Sequence, residues 1–353
     1  MEYIALKNIC KINMGQSPDS SSYNDNKDGI PFFQGNADFG EKYPVTRVWC
    51  NAPIKVAQPN DILISVRAPI GALNFAKEEC CIGRGLAALT PDRSKVSLEF
   101  IYWVLKCKKA ELNSKGTGST FKAISRKVLE ETLVPAIDFE KQYEYAEILG
   151  KTYSVIKKYK KELNCLDGLI KARFVEMFGD PVSNSYGFPE ATLPELGELG
   201  RGVSKHRPRN DSKLLGGDYP LIQTGDVANA GLYITSYGGT YSELGLKQSK
   251  MWNKGTLCIT IAANIAKTAI LEFDACFPDS VVGFIANEKT NNIFIHYWFS
   301  FFQAILESQA PESAQKNINL KILSELKVIV PKKEKQDEFV EFIEQVYKSK
   351  VTV

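Results

Sequence analysis

The chain has 353 residues, of which 44% are apolar and 24% are charged, an ordinary balance for globular proteins. This length favours two or three domains, and the balance excludes a largely disordered chain. The net charge of +3 at pH 7 is too small to identify a class of partner by itself.

The cysteine and histidine content argues against a structural zinc site. The eight cysteines form no CxxC pair, and the two histidines, His206 and His296, do not cluster with them. The first residues lack the layout of a signal peptide, and no uninterrupted run of about 18 apolar residues exists. We therefore expect a soluble, cytoplasmic protein with reduced thiols and no membrane span.

The first part of the chain has the pattern of short strands followed by a helix. Residues 61–66 are apolar and β-branched, and a stretch with proline and glycine follows at residues 68–71. A helix is expected near residues 97–112. The same order recurs later, with a strand at residues 256–262 and a helix near residues 292–308. Each part is expected to form a compact α/β domain with an irregular sheet.

A long helix is predicted between these two parts, over residues 140–178. Gly179 can cap it and Pro181 prevents its continuation. At 1.5 Å per residue such a helix spans roughly 58 Å. Alternating spacings of four and three residues are typical of a coiled-coil seam. The predicted seam consists of Tyr145, Leu149, Thr152, Ile156, Tyr159, Leu163, Leu166, Ile170, Arg173 and Met177.

A second, shorter helix is predicted at the C-terminal end. Its apolar face contains Phe339, Phe342, Ile343, Val346 and Tyr347. Because a lone helix cannot bury a long seam, we expect the two helices to pair in an antiparallel coiled coil. The second helix has about half the length of the first. Part of the first seam is therefore expected to stay uncovered, available to a partner chain or to a second copy.

The most informative feature is an internal repeat. Residues 116–142 and 310–336 both run from a polar loop through an Ile-x-x-Lys segment and a Val-Pro pair to Glu-Lys-Gln. Pro135 aligns with Pro331, and Gln142 with Gln336. The near-constant shift predicts two copies of one domain-plus-helix unit. The predicted divisions are a first domain at 1–138, a spacer helix at 139–179, a second domain at 180–333 and a short spacer helix at 334–353.

Two such domains, each followed by a spacer helix, resemble the specificity subunit of Type I restriction–modification systems. The run LIKARFVEMFGDP at residues 169–181 closely resembles the end of the first spacer in that family. The Val-Pro pairs at 134–135 and 330–331 fit the entries to the two spacers. The resemblance covers essentially the whole chain, although the recognition domains themselves match weakly.

The resemblance implies a subunit that binds a split double-stranded DNA target, with one half-site per target-recognition domain. It implies that the spacer helices set the distance between half-sites and dock two DNA methyltransferase subunits, which restriction/translocase subunits join. S-adenosylmethionine, ATP and magnesium would serve these partners, so no cofactor is expected in this chain.

No catalytic motif is found in the sequence. The chain lacks the Asn/Asp-Pro-Pro-aromatic motif of adenine methyltransferases and the GxxxxGK[ST] phosphate loop. Asp38, Asp61 and Asp92 have no nuclease-like spacing. We expect a non-catalytic subunit. The alternatives are a coiled-coil protein-interaction adaptor, and a self-contained methyltransferase or nuclease with unrecognised motifs.

Polar and basic residues of the repeated loops are the candidates for DNA contact. Hydroxyl and amide groups can bond base edges or phosphates, arginine can read guanine, and lysine can neutralise phosphate. His206 is expected to be a loop residue or a phosphate contact. In the first copy the candidates are Gln34, Asn36, Arg67, Arg84, Thr117, Ser119, Thr120 and Lys122. In the second they are Arg207, Arg209, Gln223, Thr224, Asp226, Ser313, Gln315, Lys316 and Asn317.

Overall fold

The structure is a computed structural model that describes residues 2–118, 122–262, 265–309 and 318–352. The chain divides into two compact units, Met1–Lys158 and Tyr159–Val353, called here the first and second units. Each is a mixed α/β fold, which confirms the predicted fold class. Within the described ranges, no helix combines the length and the apolarity that a membrane crossing requires.

The first unit contains two main sheets and a short strand pair. Its strands are β1 (Tyr3–Ala5), β2 (Cys10–Met14), β3 (Tyr23–Asn24), β4 (Ile30–Phe33), β5 (Val48–Cys50), β6 (Val56–Ala57), β7 (Ile62–Ser65), β8 (Leu73–Phe75), β9 (Cys80–Ile82), β10 (Leu86–Pro91) and β11 (Leu133–Pro135). Its helices are α1 (Leu98–Cys107), α2 (Lys109–Ser114), α3 (Arg126–Glu130) and the first half of α4 (Phe139–Phe178). The strand orders are β2-β10-β7-β8, β3-β5-β4-β9-β6 and β1-β11.

Strand β7 lies at the centre of the first unit and is buried along its whole length. Successive side chains of a strand point to opposite faces of the sheet. Ile62 and Ile64 therefore pack into one core with Phe100 of α1, while Leu63 packs into another core with Phe33 of β4. Burial on both faces explains the uninterrupted apolar sequence of this strand and confirms the predicted strand.

The second unit repeats the arrangement of two main sheets and a short strand pair, and it has additional short helices. Its strands are β12 (Glu190–Thr192), β13 (Gly197–Arg201), β14 (Leu215–Leu221), β15 (Tyr233–Ile234), β16 (Gly239–Tyr241), β17 (Met251–Trp252), β18 (Leu257–Thr260), β19 (Thr268–Leu271), β20 (Ala275–Cys276), β21 (Val281–Ala286) and β22 (Lys327–Ile329). Its helices are the second half of α4, α5 (Leu193–Leu196), α6 (Thr224–Asn229), α7 (Glu243–Lys247), α8 (Asn292–Gln309), α9 (Leu320–Glu325) and α10 (Lys333–Thr352). The strand orders are β13-β21-β18-β19-β15, β16-β14-β20-β17 and β12-β22.

The duplication extends to the strand register. Ile62 of β7 is paired with Phe75 of β8, and Leu257 of β18 is paired with Ile270 of β19, each residue 195 positions after its counterpart. Strand β10 joins β7 as β21 joins β18, and the β1-β11 pair recurs as β12-β22. The predicted repeat of two similar α/β domains is thereby confirmed.

A buried glutamine fixes the start of the spacer helix in each unit. Gln142 Oε1 accepts from the Ser97 N–H at 2.8 Å, and its Nε2 donates to the Ile137 carbonyl at 2.9 Å. In the second unit, Gln336 Oε1 accepts from the Thr290 hydroxyl at 2.9 Å, and its Nε2 donates to the Pro331 carbonyl at 2.9 Å. The Glu-Lys-Gln repeat therefore encodes the same anchor twice.

In the second unit, the last part of α4 runs antiparallel to α10. Asp167 of α4 pairs with Lys350 of α10 at 2.5 Å. Arg173, further along α4, pairs with Glu338, near the start of α10, at 2.8 Å. The partner's number falls as the α4 number rises, which is the direction predicted from the repeat. Helix α4 ends where Gly179, at φ +70°, donates its N–H to the Val175 carbonyl.

The apolar contact between α4 and α10 is centred one residue away from the predicted seam. Phe174 is fully buried, and its ring centroid lies 5.3 Å from that of Phe339. Arg173, which the heptad pattern placed in the seam, instead pairs with Glu176 and the Glu338 carboxylate. A straight α-helix drifts about 20° per heptad, which explains the slip. The buried stripe consists of Ile170, Phe174, Met177 and Phe178.

Much of the predicted seam is exposed, in keeping with the length difference between the two helices. Leu166 is partly buried against the core of the second unit, and Ile170 and Met177 are buried in it. On α10, the predicted Phe339, Ile343 and Val346 are all buried. The exposed seam residues are Tyr145, Leu149, Thr152 and Ile156 in the first unit, and Tyr159 and Leu163 in the second.

Candidate nucleic-acid interface

A row of backbone hydrogen bonds joins the loops of the first unit that carry the predicted site. The Gly85 N–H donates to the Gln34 carbonyl at 3.1 Å, and the Val66 N–H donates to the Gly85 carbonyl at 2.9 Å. The Ile124 N–H then donates to the Val66 carbonyl at 2.9 Å. Four segments that are distant in sequence therefore lie side by side. Their exposed predicted residues are Gln34, Arg67, Arg84, Thr117 and Lys122, and Asn36 is partly buried.

The side chain of Gln34 is held in a fixed orientation. The Ser17 hydroxyl donates to Gln34 Oε1 at 3.1 Å and accepts from Gln34 Nε2 at 3.0 Å. The same hydroxyl accepts from the Arg84 N–H at 3.3 Å. A Cβ at position 85 would lie 2.4 Å from the Gln34 carbonyl oxygen, so only glycine fits there. Ser17 was absent from the predicted site, and no local pattern distinguishes it from other loop serines.

The loop after α2 closes on itself beside this row. Thr117 and Ala123 exchange backbone hydrogen bonds of 3.0 and 2.9 Å, and the Lys122 carbonyl accepts from the Ala68 N–H at 3.0 Å. Thr117 and Lys122 are thereby brought next to the segment that carries Arg67. The predicted contacts Ser119 and Thr120 lie outside the described residues.

Three cations, Arg67, Arg84 and Lys122, are exposed on these neighbouring segments. Asp38 on the Gln34 segment uses its carboxylate to accept from the Gln34 and Gly35 N–H groups at 2.8 and 3.3 Å. These segments therefore bring three exposed cations together, although the chain as a whole is almost neutral. Such a patch attracts phosphate groups.

The second unit repeats two of the three bonds of this row. The Ile261 N–H donates to the Ser280 carbonyl at 3.0 Å, and the Ile318 N–H donates to the Ile261 carbonyl at 2.9 Å. Ile318 corresponds to Ile124 in the repeat, and it is the first described residue after residue 309. The predicted contacts that precede it, namely Ser313, Gln315, Lys316 and Asn317, lie outside the described residues.

Gln223 occupies the position that Gln34 has in the first unit. Its side chain is exposed, and its N–H donates to Asp226 Oδ2 at 2.8 Å, as the Gln34 N–H does to Asp38. Asp226 therefore caps the start of α6, a structural role that its predicted DNA contact did not include. Thr224 begins α6 and is partly buried.

An arginine cluster surrounds one carboxylate at the edge of the second unit's row. Arg207 lies 3.6 Å from Asp279 Oδ2, and Arg209 pairs with Asp279 Oδ1. The Arg201 Nε donates to the Asp279 carbonyl at 2.5 Å. The sequence predicted Arg207 and Arg209 but missed Arg201 and Asp279. One signal was present, because position 279 lies 195 residues after Arg84 in the repeat.

His206 belongs to the loop that carries the cluster. Its Nε2 lies 3.1 Å from Asp211 Oδ2. Hydrogen bonds from the Lys213 N–H and from the His206 ring hold the pKa of Asp211 below its ordinary value. The ring therefore helps to order the loop in which it lies, and a phosphate contact by His206 stays a prediction.

The isolated acids of the sequence stabilise separate turns. Asp38 accepts from the N–H of Gln34, buried Asp61 accepts from the N–H of Gln58 at 2.8 Å, and Asp92 accepts from that of Ser94 at 3.1 Å. Hydrogen bonds from Ser94 and Lys95 lower the pKa of Asp92 to about 2. Over the described ranges, no three His, Cys, Asp or Glu side chains are grouped so that they could hold a metal ion.

The known proteins that resemble this chain include two named as type I restriction enzyme specificity subunits. The chain is 44% identical over 152 residues to a Methanocaldococcus jannaschii protein named as the MjaX type I restriction enzyme specificity subunit, covering 43% of this chain and 36% of that one. It is 22% identical over 98% of its length to the EcoBI specificity subunit of Escherichia coli, of which 78% is covered. The chain thus spans only about a third of the first of these relatives.

Two solved structures resemble the chain. The S subunit of a Type-I restriction-modification system from M. genitalium aligns with 99% of this chain and 92% of its own, at 16% identity and a TM-score of 0.57, which supports the fold. The HsdS subunit from Thermoanaerobacter tengcongensis is 42% identical over 44% of this chain and 39% of its own, with a TM-score of 0.40.

The family profile of the Type I restriction modification DNA specificity domain matches residues 1–165 and, separately, residues 190–353. These two matches together span most of the chain and agree with the duplicated topology. The chain therefore belongs to the Type I restriction–modification DNA specificity family, and it carries that family's domain twice.

Proposed function

We propose that this chain is the subunit that reads a bipartite DNA target, with one half-site for each unit. The supporting observation is that two bonds of the loop row recur in the second unit, and that Gln34 and Gln223 are both exposed and both donate their N–H to a nearby aspartate. Amide side chains can bond bidentately to adenine, and the neighbouring arginines can bond to guanine or phosphate. Two copies of one reading surface match the requirement of a split target.

The partners are proposed from the exposed face of α4. In the first unit, this face carries exposed Tyr145, Ile148, Leu149, Val155 and Ile156, which fall on one side of the helix at 100° per residue. Contiguous apolar surface of this kind is typical of interaction sites. We infer that two DNA methyltransferase subunits dock on the spacer helices and that restriction/translocase subunits join them. Self-association through the same face is the competing use.

The chemistry is assigned to those partners. The sequence has no methyltransferase or phosphate-loop motif, and Asp38, Asp61 and Asp92 each bond to the backbone of a separate turn. We therefore propose that this chain is not catalytic, and that S-adenosylmethionine, ATP and magnesium act in the partner subunits.

Genome-wide mapping of adenine methylation tests the proposal. The chain is expressed with its cognate methyltransferase subunit in a host that lacks such systems, and the methyltransferase alone serves as the control. The expected result is a motif of two short half-sites separated by unspecified bases, which disappears when this chain is omitted. A continuous motif, or methylation without this chain, would contradict the proposal.

Exchange of one recognition domain tests independent reading. When residues 1–135 are replaced by another recognition domain, one half of the methylated motif should change and the other half should stay. A change in both halves would show that the units do not read separately.

Two alternative functions predict a different behaviour of the purified chain. An adaptor that only joins proteins should not shift a DNA duplex in a gel. A self-contained enzyme should modify DNA with S-adenosylmethionine alone or cleave it with magnesium alone. We expect a gel shift, and neither modification nor cleavage.

A further inference from the structure

We propose that Asp279 is a positioning residue that holds Arg207 and Arg209 as a fork for reading guanine in the half-site of the second unit. This inference rests on the proposed function. It assigns one position of the target to three side chains of this chain.

The fork is built from loops that the repeat brings together. The Gly202 and Val203 N–H groups donate to the carbonyls of Val281 and Phe277 at 2.9 and 3.2 Å. These bonds fix the start of the arginine-bearing loop against the segment that contains Asp279. In the first unit, Gly15 and Gln16 make the equivalent bonds and bring Ser17 to Arg84. Asp279 therefore lies at the edge of the hydrogen-bonded row of loops in the second unit, at the position where the first unit has Arg84.

The ion pairs restrict the arginines without using all of their donors. A guanidinium has five N–H donors, and one carboxylate can accept only some of those of Arg207 and Arg209. Arg207 Nη1 is further held by the Ser204 carbonyl at 2.6 Å. Both side chains remain about half exposed, at 55% and 46%. Because they are already ordered, less conformational entropy is lost when they bind a ligand.

The carboxylate favours a base edge over a phosphate as that ligand. A phosphate at the fork would lie close to the negative charge of Asp279 and be repelled by it. Guanine presents two uncharged acceptors, O6 and N7, in the geometry that a guanidinium fork matches. The same carboxylate can accept from the N4 amine of the paired cytosine. A cluster meant only for phosphate would gain affinity by losing this acid.

The test compares methylation motifs and duplex binding for D279N, R209K and R207K, each as the full chain with its methyltransferase subunit. D218N is the matched charge control, because Asp218 is an exposed carboxylate on β14 of the same unit. D279N and R209K should reduce the preference for guanine at one position of the second half-site by roughly tenfold or more. R207K should act at the same position. The first half-site and the D218N motif should be unchanged.

Several outcomes would overturn the proposal. A wild-type second half-site without any G·C pair would do so. So would variants that keep the motif while D279N binds every sequence more tightly and R209K binds every sequence more weakly, because that pattern indicates a phosphate contact. R209K keeps its charge and its exposed position, so it tests the idea even if D279N fails to fold. Absence of any bipartite motif in the wild type would instead refute the proposed function.

Discussion

The starts of the two spacer helices differ in burial although their sequences follow the same repeat. Phe339 and Ile343 on α10 are 0% and 1% exposed, whereas Tyr145 and Leu149, each 194 positions earlier on α4, are 45% and 39% exposed. Aromatic residues at the end of α4 cover the α10 face in the second unit. The repeat therefore determines where a helix begins, while the burial of that helix depends on a segment from elsewhere in the chain.

The hydrogen-bonded rows of loops in the two units, by contrast, differ mainly in their exposed side chains. Two of their backbone bonds recur in both units, but the first unit has Arg84 where the second has Asp279. Gln34 is tied to Ser17, whereas the second unit concentrates guanidinium groups around one acid. A conserved scaffold with different exposed residues is what two different half-sites would require.

The largest difference is expected between F339A and Y145A. Removing Phe339 leaves a cavity against Phe174 and should lower the free energy of unfolding of the second unit by about 3–5 kcal/mol. Removing the exposed Tyr145 should change that of the first unit by no more than about 0.5 kcal/mol. Urea unfolding, followed in each unit by its hydrogen exchange, measures both changes in the free energy of unfolding. Equal losses would mean that the exposed face is buried in the isolated chain.

The buried glutamines should give similar effects in both units. Q142A leaves the Ser97 N–H unpaired, and Q336A leaves the Thr290 hydroxyl unpaired, each in a buried environment. Each change should destabilise its own unit by roughly 2–4 kcal/mol. Q345A, on an exposed position of α10, is the control and should have little effect. The same urea experiment applies, and a large effect in one unit alone would argue against equivalent anchors.

A pH dependence is expected for the second unit. Burial lowers the pKa of His296 to about 4, and Thr268 Oγ1 lies 2.9 Å from its Nδ1. The unfolded chain binds a proton near pH 6.5 but the folded unit does not, so stability is present above pH 6.5 and is lost as pH falls towards 4. The loss should reach about 3 kcal/mol.

Urea midpoints across this pH range measure the effect. H296Q should flatten the dependence, whereas H206Q, which changes the other histidine of the chain, should leave it in place. An unchanged slope in H296Q would assign the dependence to carboxylates.

The smallest effects concern DNA affinity. K122Q and K316Q should each weaken binding to all sequences several-fold and reduce the slope of log affinity against log salt by about one. Lys122 lies beside Arg67 in the first row, and position 316 is its predicted counterpart. Titration of duplexes at several salt concentrations measures both. An unaltered salt slope in both variants would remove these loops from the interface.

Local patterns predicted a large part of this structure. The apolar stretch at 61–66, the helix end at Gly179 and the repeated glutamines all lie where expected, because each depends on neighbours within a few residues. The heptad pattern failed at Arg173 because it assumed a supercoil that the short contact with α10 does not impose. The candidate site was predicted as separate loops, without Ser17 or Asp279 and without any indication that the loops are adjacent.

The duplication, the spacer helices and the family can be predicted from residue order alone, since periodicity, capping residues and a repeated motif are local properties. Which side chains share a surface becomes visible only in the folded chain. Gln34, Gly85, Val66 and Ile124 are joined by backbone hydrogen bonds between distant segments. Those bonds depend on sheet register and loop closure, which residue types do not specify one position at a time.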